Sequence, residues 1–198
     1  MNKTNFRFYV CLLIFFCLAV QIHAQQGRTL KWSMSLQNVK TRETIPFGET
    51  VQAETGEQFR LIIQASGRSF LYVIAESPET DAIAVLCEKQ MRKDETWQSG
   101  VLQLTEPQGI EYLFVITSLE EQKDLARSIA AFQNNQGFIQ KRALRNEIYR
   151  IRSDISQFRE APEKPVLMGG ATRGDPERNQ GVEFSGLGTY VKTISIEH

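Results

Sequence analysis

Few side chains in this sequence could carry bond-breaking chemistry. The 198 residues include two histidines and three cysteines. Nucleophilic catalysis by Ser, Thr or Cys needs a base within hydrogen-bond reach. His23 lies in an N-terminal stretch that reads as removable, and His198 is the final residue, just past a strand. Zinc sites built from several Cys and His ligands fail by the same count. No loop shows the Asp/Asn spacing of a calcium loop. Carboxylates remain, and glycoside hydrolysis needs two of them about 5 to 10 Å apart in one cleft. The 23 acidic residues nominate no such pair. Met168 to Gly174 has the glycines of a phosphate cradle but lacks its Gly-Lys-Ser/Thr ending and strand–helix context. The sequence therefore nominates no catalytic residue, no cofactor site and no metal ligand.

The remaining candidates are interaction residues. Leu144, Ile148, Ile151, Ile155 and Phe158 recur at spacings of 4, 3, 4 and 3. They form a narrow apolar stripe on a helix that also bears Lys141, Arg142, Arg145, Arg150 and Arg152. Those arginines either stand solvated over a core-facing helix or dock an anionic partner; Glu147, Asp154 and Glu160 dilute the charge. Arg173-Gly174-Asp175 matches the tripeptide read by integrins and falls in a Gly-rich segment. Arg142, Arg145, Arg150, Arg152, Arg173 and Asp175 are thus the candidate interaction surface. Cys87 ends the run Ala82 to Cys87 and reads as a packed thiol on the Ile83 and Val85 face. Its functional readings are an intermolecular disulfide or a reactive thiolate near Lys89, Arg92 and Lys93. Trp32, Trp97, Tyr72 and Tyr112 could line a groove, but alternation points Trp32 and Tyr72 inward.

The elements that position these residues begin after a leader. Lys3 and Arg7 precede an apolar run from Phe8 to Val20, 13 residues long, and Ala24 offers a cleavage position. This is the pattern of a secretory signal over 1–24; the run is too short to span a bilayer comfortably as an uncleaved anchor. Phe15 and Phe16 argue against lipidation of Cys17. No later run is long enough to cross a membrane. The chain from Gln25 to His198 is 174 residues, one domain by length. Without Lys3 and Arg7 it holds 21 basic and 23 acidic residues, which gives no electrostatic case for nucleic acid. Cys11 and Cys17 leave with the signal, so Cys87 has no intramolecular partner, and packing must supply the stability.

Period-2 patterning dominates the first two thirds. Thr29 to Gln37 alternates with Leu30, Trp32, Met34 and Leu36 on one face. Gln58 to Glu76 reads as two strands joined by a Ser-Gly-Arg-Ser reversal at Gly67, and Phe70 to Ala75 is apolar on both faces. Ala82 to Cys87, Val101 to Leu104 and Ile110 to Thr117 follow as strands. At Ser118 the period changes. Ser118-Leu119-Glu120-Glu121 matches a capping box, and Leu125, Ile129 and Phe132 recur at helical spacing. Pro and Gly crowd 161–188, which reads as a loop, and Thr189 to Glu197 reads as a closing strand. Short turns predict antiparallel pairing, and doubly apolar strands predict a sheet covered on both sides. The expected fold is mainly β with α: an antiparallel β-sandwich of about seven or eight strands with a two-helix insert at about 119–158, ahead of the last strand. A single sheet covered by helices is the alternative.

Gly56-Glu57-Gln58-Phe59-Arg60-Leu61, Phe70-Leu71-Tyr72-Val73-Ile74, Ala84-Val85-Leu86 and Pro107 to Ser118 together resemble a bacterial family, domain of unknown function 4384. The tail from Lys164 to Gly170 with Arg173-Gly174, and Tyr190 to His198, looks like its stand-alone secreted members. Many members have Phe/Tyr-Pro after the third segment, where this chain has Cys87-Glu88. The resemblance implies an exported or envelope-associated domain and supplies no catalytic residues. The expected function is a non-catalytic, exported binding domain, periplasmic or at the cell surface, that holds a protein or envelope component. An envelope enzyme or accessory acting on glycan through carboxylates, or an adhesion and assembly module, are the alternatives.

Overall fold

The computed structural model describes residues 29–155, 164–167 and 180–198. Strands β1 to β9 span Thr29–Asn38, Thr44–Ile45, Val51–Gln52, Gln58–Ala65, Ser69–Ser77, Ala82–Met91, Thr96–Gln98, Leu102–Gln103 and Ile110–Ser118. Helices α1 (Lys123–Asn134) and α2 (Phe138–Ile155) follow, then β10 (Lys164–Leu167), β11 (Gln180–Leu187) and β12 (Thr189–Glu197). One sheet runs β10-β11-β1-β4-β7, with β2 on β1 and β8 on β4. The other runs β3-β12-β9-β5-β6. Every pairing is antiparallel except the short β3–β12 contact.

The fold is a sandwich whose second sheet is covered again, on its outer face, by the helices. Between the sheets lie Trp32, Met34, Leu36, Phe59, Leu61, Ile63, Leu71, Val73, Val115 and Ile194. Between the second sheet and the helices lie Tyr72, Ile74, Phe114 and Ile116, met by Leu125, Ile129, Phe132, Leu144, Ile148 and Ile151. These residues of the helical stripes thus serve as core; the Ile155 side chain lies outside the described part. The stripe residue Phe158 lies outside the described residues.

The strands β4 and β5 are not a hairpin. β4 pairs with β1, β7 and β8, whereas β5 pairs with β6 and β9, so Ser66 to Arg68 crosses from one sheet to the other. The burial of the two strands explains this. β4 buries one face and carries Gln58, Arg60 and Gln64 on the other, while β5 is buried on both. Beside β5, those polar side chains would lie under the helices without partners.

Three further expectations change. The segment 161–188 is not all loop, because it holds β10 and β11, and β11 pairs with β1 from Thr29↔Leu187 to Met34↔Val182. Pro165 sits in β10, at the sheet edge, where a missing N–H is tolerated. Ser118 ends β9 and does not cap a helix: α1 starts at Lys123, and its N-cap Gln122 makes no side-chain capping bond. The Gln122 N–H instead donates to the Tyr72 hydroxyl at 3.0 Å, fixing the helix start to β5. Finally, a bulge opposite Val73/Ile74 sets Cys87 against Val73 and Val85 against Ile74. It moves Cys87 off the Ile83 and Val85 face into the inter-sheet core with Met91.

Candidate functional site

The basic helix is the strongest interaction candidate, and two of its cations, Lys141 and Arg145, dock α2 onto Glu76 and Asp81. Arg145 Nε donates to Glu76 Oε1 at 2.5 Å and Arg145 Nη2 to Asp81 Oδ1 at 2.8 Å. Lys141 Nζ reaches Asp81 Oδ2 at 2.9 Å, and the Tyr149 hydroxyl donates to Glu76 Oε2 at 3.1 Å. Glu76 is 3% exposed at the end of β5, so this network satisfies an otherwise costly buried carboxylate. Hydrogen bonds from Lys141 and then Arg145 hold the Asp81 carboxyl below its usual range. Burial, then the Glu76 charge, pushes the Tyr149 phenol up. Arg150 is held between Glu147 and Asp154. Arg142 and Arg152 are exposed and form no ion pair with an acidic side chain among the described residues. Arg173 and Asp175 lie outside the described residues.

A different feature has the shape of a binding site. At one end of the sandwich the sheets part and leave a cleft of about 410 Å³. Ala75, Ala82 and Ala84 line it from β5 and β6, Phe59 and Leu102 from β4 and β8, and Tyr112 and Leu113 from β9. Its size and apolar lining fall in the range of small-ligand and side-chain pockets. On β5 and β6 the lining positions Ala75, Ala82 and Ala84 carry only methyl groups, which leaves the space open. At the opposite end Trp32 stacks on Phe184 at 4.5 Å, and Tyr190 closes edge-on to Trp32 at 5.4 Å. Val101, 47% exposed, stands at the rim of the cleft.

Two carboxylates border the cleft, Glu76 and Glu111. Glu76 pairs with Tyr112 across β5 and β9, so those two share a face and the neighbouring Glu111 occupies the other. Glu76 faces the helices and is held by Arg145 and Tyr149; Glu111 faces the other way. They do not form the facing pair that glycoside hydrolysis requires. Glu111 lines the cleft, and the exposed Glu79 and Glu106 adjoin the lining residues Thr80 and Thr105 in the chain. None of the three forms an ion pair with Lys or Arg among the described residues. Glu79 packs against Gly109, where any Cβ would collide with it.

The structure also gathers residues that sequence reasoning left apart. His198 Nδ1 lies 3.3 Å from Thr55 Oγ1, and Nε2 lies 3.8 Å from Glu111 Oε1. A hydroxyl, an imidazole and a carboxylate in this order suggest nucleophilic catalysis. However, the imidazole is fully enclosed and Nε2 has no hydrogen-bond partner, so the ring neither reaches a substrate nor is oriented by the carboxylate. His198 also exchanges both backbone hydrogen bonds with Gly109, and the group acts as a clasp on the chain end. No local pattern marks it, because its members lie in three separate segments.

A second depression, lined by Asn38, Lys40, Thr41 and 52–58, is polar. Several of its groups are paired within it: Asn38 donates to Glu57, and the N–H groups of Lys40 and Thr41 donate to Asn38. Cys87 is buried, and burial pushes its thiol up to about 11, so it is a packed thiol and not a ready thiolate. Trp32 and Tyr72 are buried, as alternation predicts, while Tyr112 lines the cleft. Among the described residues no helix is long and apolar enough to cross a membrane, and no cluster of His, Cys, Asp and Glu could hold a metal ion. No family model matches the chain, and no curated protein matches it.

Proposed function

We propose that this protein is an exported, non-catalytic binding domain of a bacterial envelope, and that it holds a protein partner at the open end of its sandwich. The observation that carries this reading is the cleft lined by Ala75, Ala82 and Ala84. A sandwich of this size can fill both ends, and the far end is filled by three aromatic rings. Leaving one end open exposes apolar surface that costs stability, which makes sense where a partner covers it. The leader-like start over 1–24 and the likeness to domain of unknown function 4384 support the exported setting.

Two measurements test the proposal. Mass spectrometry of the exported chain is expected to find an N-terminus at Gln25. A photo-crosslinking amino acid at position 101, at the rim, is expected to trap one discrete envelope protein. The same group at position 31, on the outer face of β1, traps none. Equal labelling from both positions, or none from 101, would overturn the reading.

A further inference from the structure

The cleft opens beside a strand edge. β6 is the last strand of its sheet, and its outer edge has no strand partner among the described residues. Ala82 and Ala84 are exposed there and line the cleft, so the edge carries methyl groups where it meets the opening. An extended peptide can therefore hydrogen-bond to the β6 backbone while alternate side chains drop into the cleft. The bulge at Leu86 breaks the regular ladder and limits such pairing to the stretch before it. Natural edges are usually blunted by charge, proline or bulges. Here the blunting begins only after the cleft.

The rim adds a charge preference. Glu111 lines the cleft, Glu79 and Glu106 are exposed next in the chain to the lining residues Thr80 and Thr105, and none of the three has a Lys or Arg partner among the described residues. The nearby cations Lys141 and Arg145 are committed to Asp81 and Glu76. A ligand with positive charge beside its apolar group meets an uncompensated acidic rim, and an acidic ligand is repelled.

We infer that the cleft and the β6 edge together recognise an extended peptide segment with a large apolar side chain flanked by Lys or Arg, which adds as a strand along Ala82 to Val85. This rests on the proposal that the cleft is the binding site, and it adds the chemistry of the partner.

The test titrates the full exported chain with three acetylated, amidated hexapeptides. Each has a central leucine, flanked by two lysines, two glutamines or two glutamates. The lysine peptide is expected to bind at least tenfold tighter than the glutamine peptide, with the glutamate peptide weakest. The preference should shrink in 0.5 M salt and vanish in a Glu79→Gln, Glu106→Gln, Glu111→Gln triple variant. Ala84→Leu, which fills the cleft, should abolish binding of all three while the protein melts no lower. If the peptides bind equally and Ala84→Leu abolishes them all, the charge preference is wrong and the cleft reading stands. If none binds, recognition of an extended peptide is overturned, and crosslinking from position 101 still decides whether the cleft is a site.

Discussion

The two ends of the sandwich are finished in opposite ways. At the end where β1 begins, Trp32, Phe184 and Tyr190 interlock with ring centroids 4.5 to 5.4 Å apart. At the end where β5 finishes, Ala75 and Ala84 face each other across a strand pair, and the space above them is empty. Aromatic rings bring a large apolar area and lock one arrangement, whereas a methyl group leaves room. One end holds the sheets together, and the other is free to hold something else. On the proposed reading, stability and binding are separated along a single axis of the molecule.

If that separation is real, substitutions at the two ends must differ sharply. Trp32→Ala should show the largest effect, a loss of about 3 to 5 kcal/mol in urea unfolding, through lost burial and the cavity left behind. Trp32→Phe should cost much less, because the indole N–H of Trp32 has no hydrogen-bond partner to lose. At the open end, Val101→Ala should change stability by less than about 0.5 kcal/mol, since its surroundings are solvent. Equal costs for Trp32→Ala and Val101→Ala would erase the distinction.

The helical layer adds a polar counterpart. Arg145→Met removes the main partner of the nearly buried Glu76 and should cost about 2 kcal/mol or more, because it strands a carboxylate under a helix. Glu76→Gln in that background should recover much of the loss. An exposed pair such as Arg127 with Asp124 should contribute no more than a few tenths of a kcal/mol. No recovery by the second substitution would mean that Glu76 is not the group being strained.

Much of the architecture was legible in the sequence because burial periodicity is local. The alternation of Leu30, Trp32, Met34 and Leu36, the double-sided β5 and the stripe residues Leu125, Ile129, Phe132, Leu144, Ile148 and Ile151 became core as read. What was illegible depends on pairing between distant segments. The polar face of β4 could have signalled that it sits in the other sheet, but the short link through Gly67 argues for a hairpin. β11 was hidden by Gly181 and Gly186, which take strand conformation by pairing with β10 and β1 respectively. The bulge opposite Val73/Ile74 shifts every later residue of β6 by one face, and nothing in the run from Ala82 to Cys87 announces it. The cleft was illegible for a related reason: it depends on alanines of β5 and β6 meeting residues of distant strands, and an alanine in a strand reads as ordinary filling. The arginines of α2 draw attention as charges, yet the partners of Arg145, Glu76 and Asp81, lie more than 60 residues away in the chain.

Cys87 sharpens the comparison from inside the core. Its thiol is pushed from 9.0 up to about 11, chiefly by burial. Both folded and unfolded chains are protonated below pH 9. Between pH 9 and about 11 only the unfolded chain ionises, so stability falls as the pH rises. The melting temperature of the wild type should therefore drop more across that window than that of Cys87→Ala. Labelling by a disulfide reagent at pH 8 should be slow in the native state and fast in urea. Fast native labelling would put Cys87 at an opening in the inter-sheet core and undo the picture of one closed and one open region.

The smallest expected effect is the most direct test of the open end. Ala84 is exposed on an edge strand and borders the cleft, so a larger β-branched residue there meets space and not packed atoms. Ala84→Val should stabilise the protein by about 0.5 kcal/mol, through added apolar burial and strand preference. In a filled core the same change would cost about 1 kcal/mol or more from overpacking. The sign is therefore what matters. A gain in stability together with weaker binding of the lysine peptide would mean that the cleft has been left unfilled at the expense of stability and in favour of a ligand. A loss of stability would mean that the alanines are close-packed and the cleft is not available.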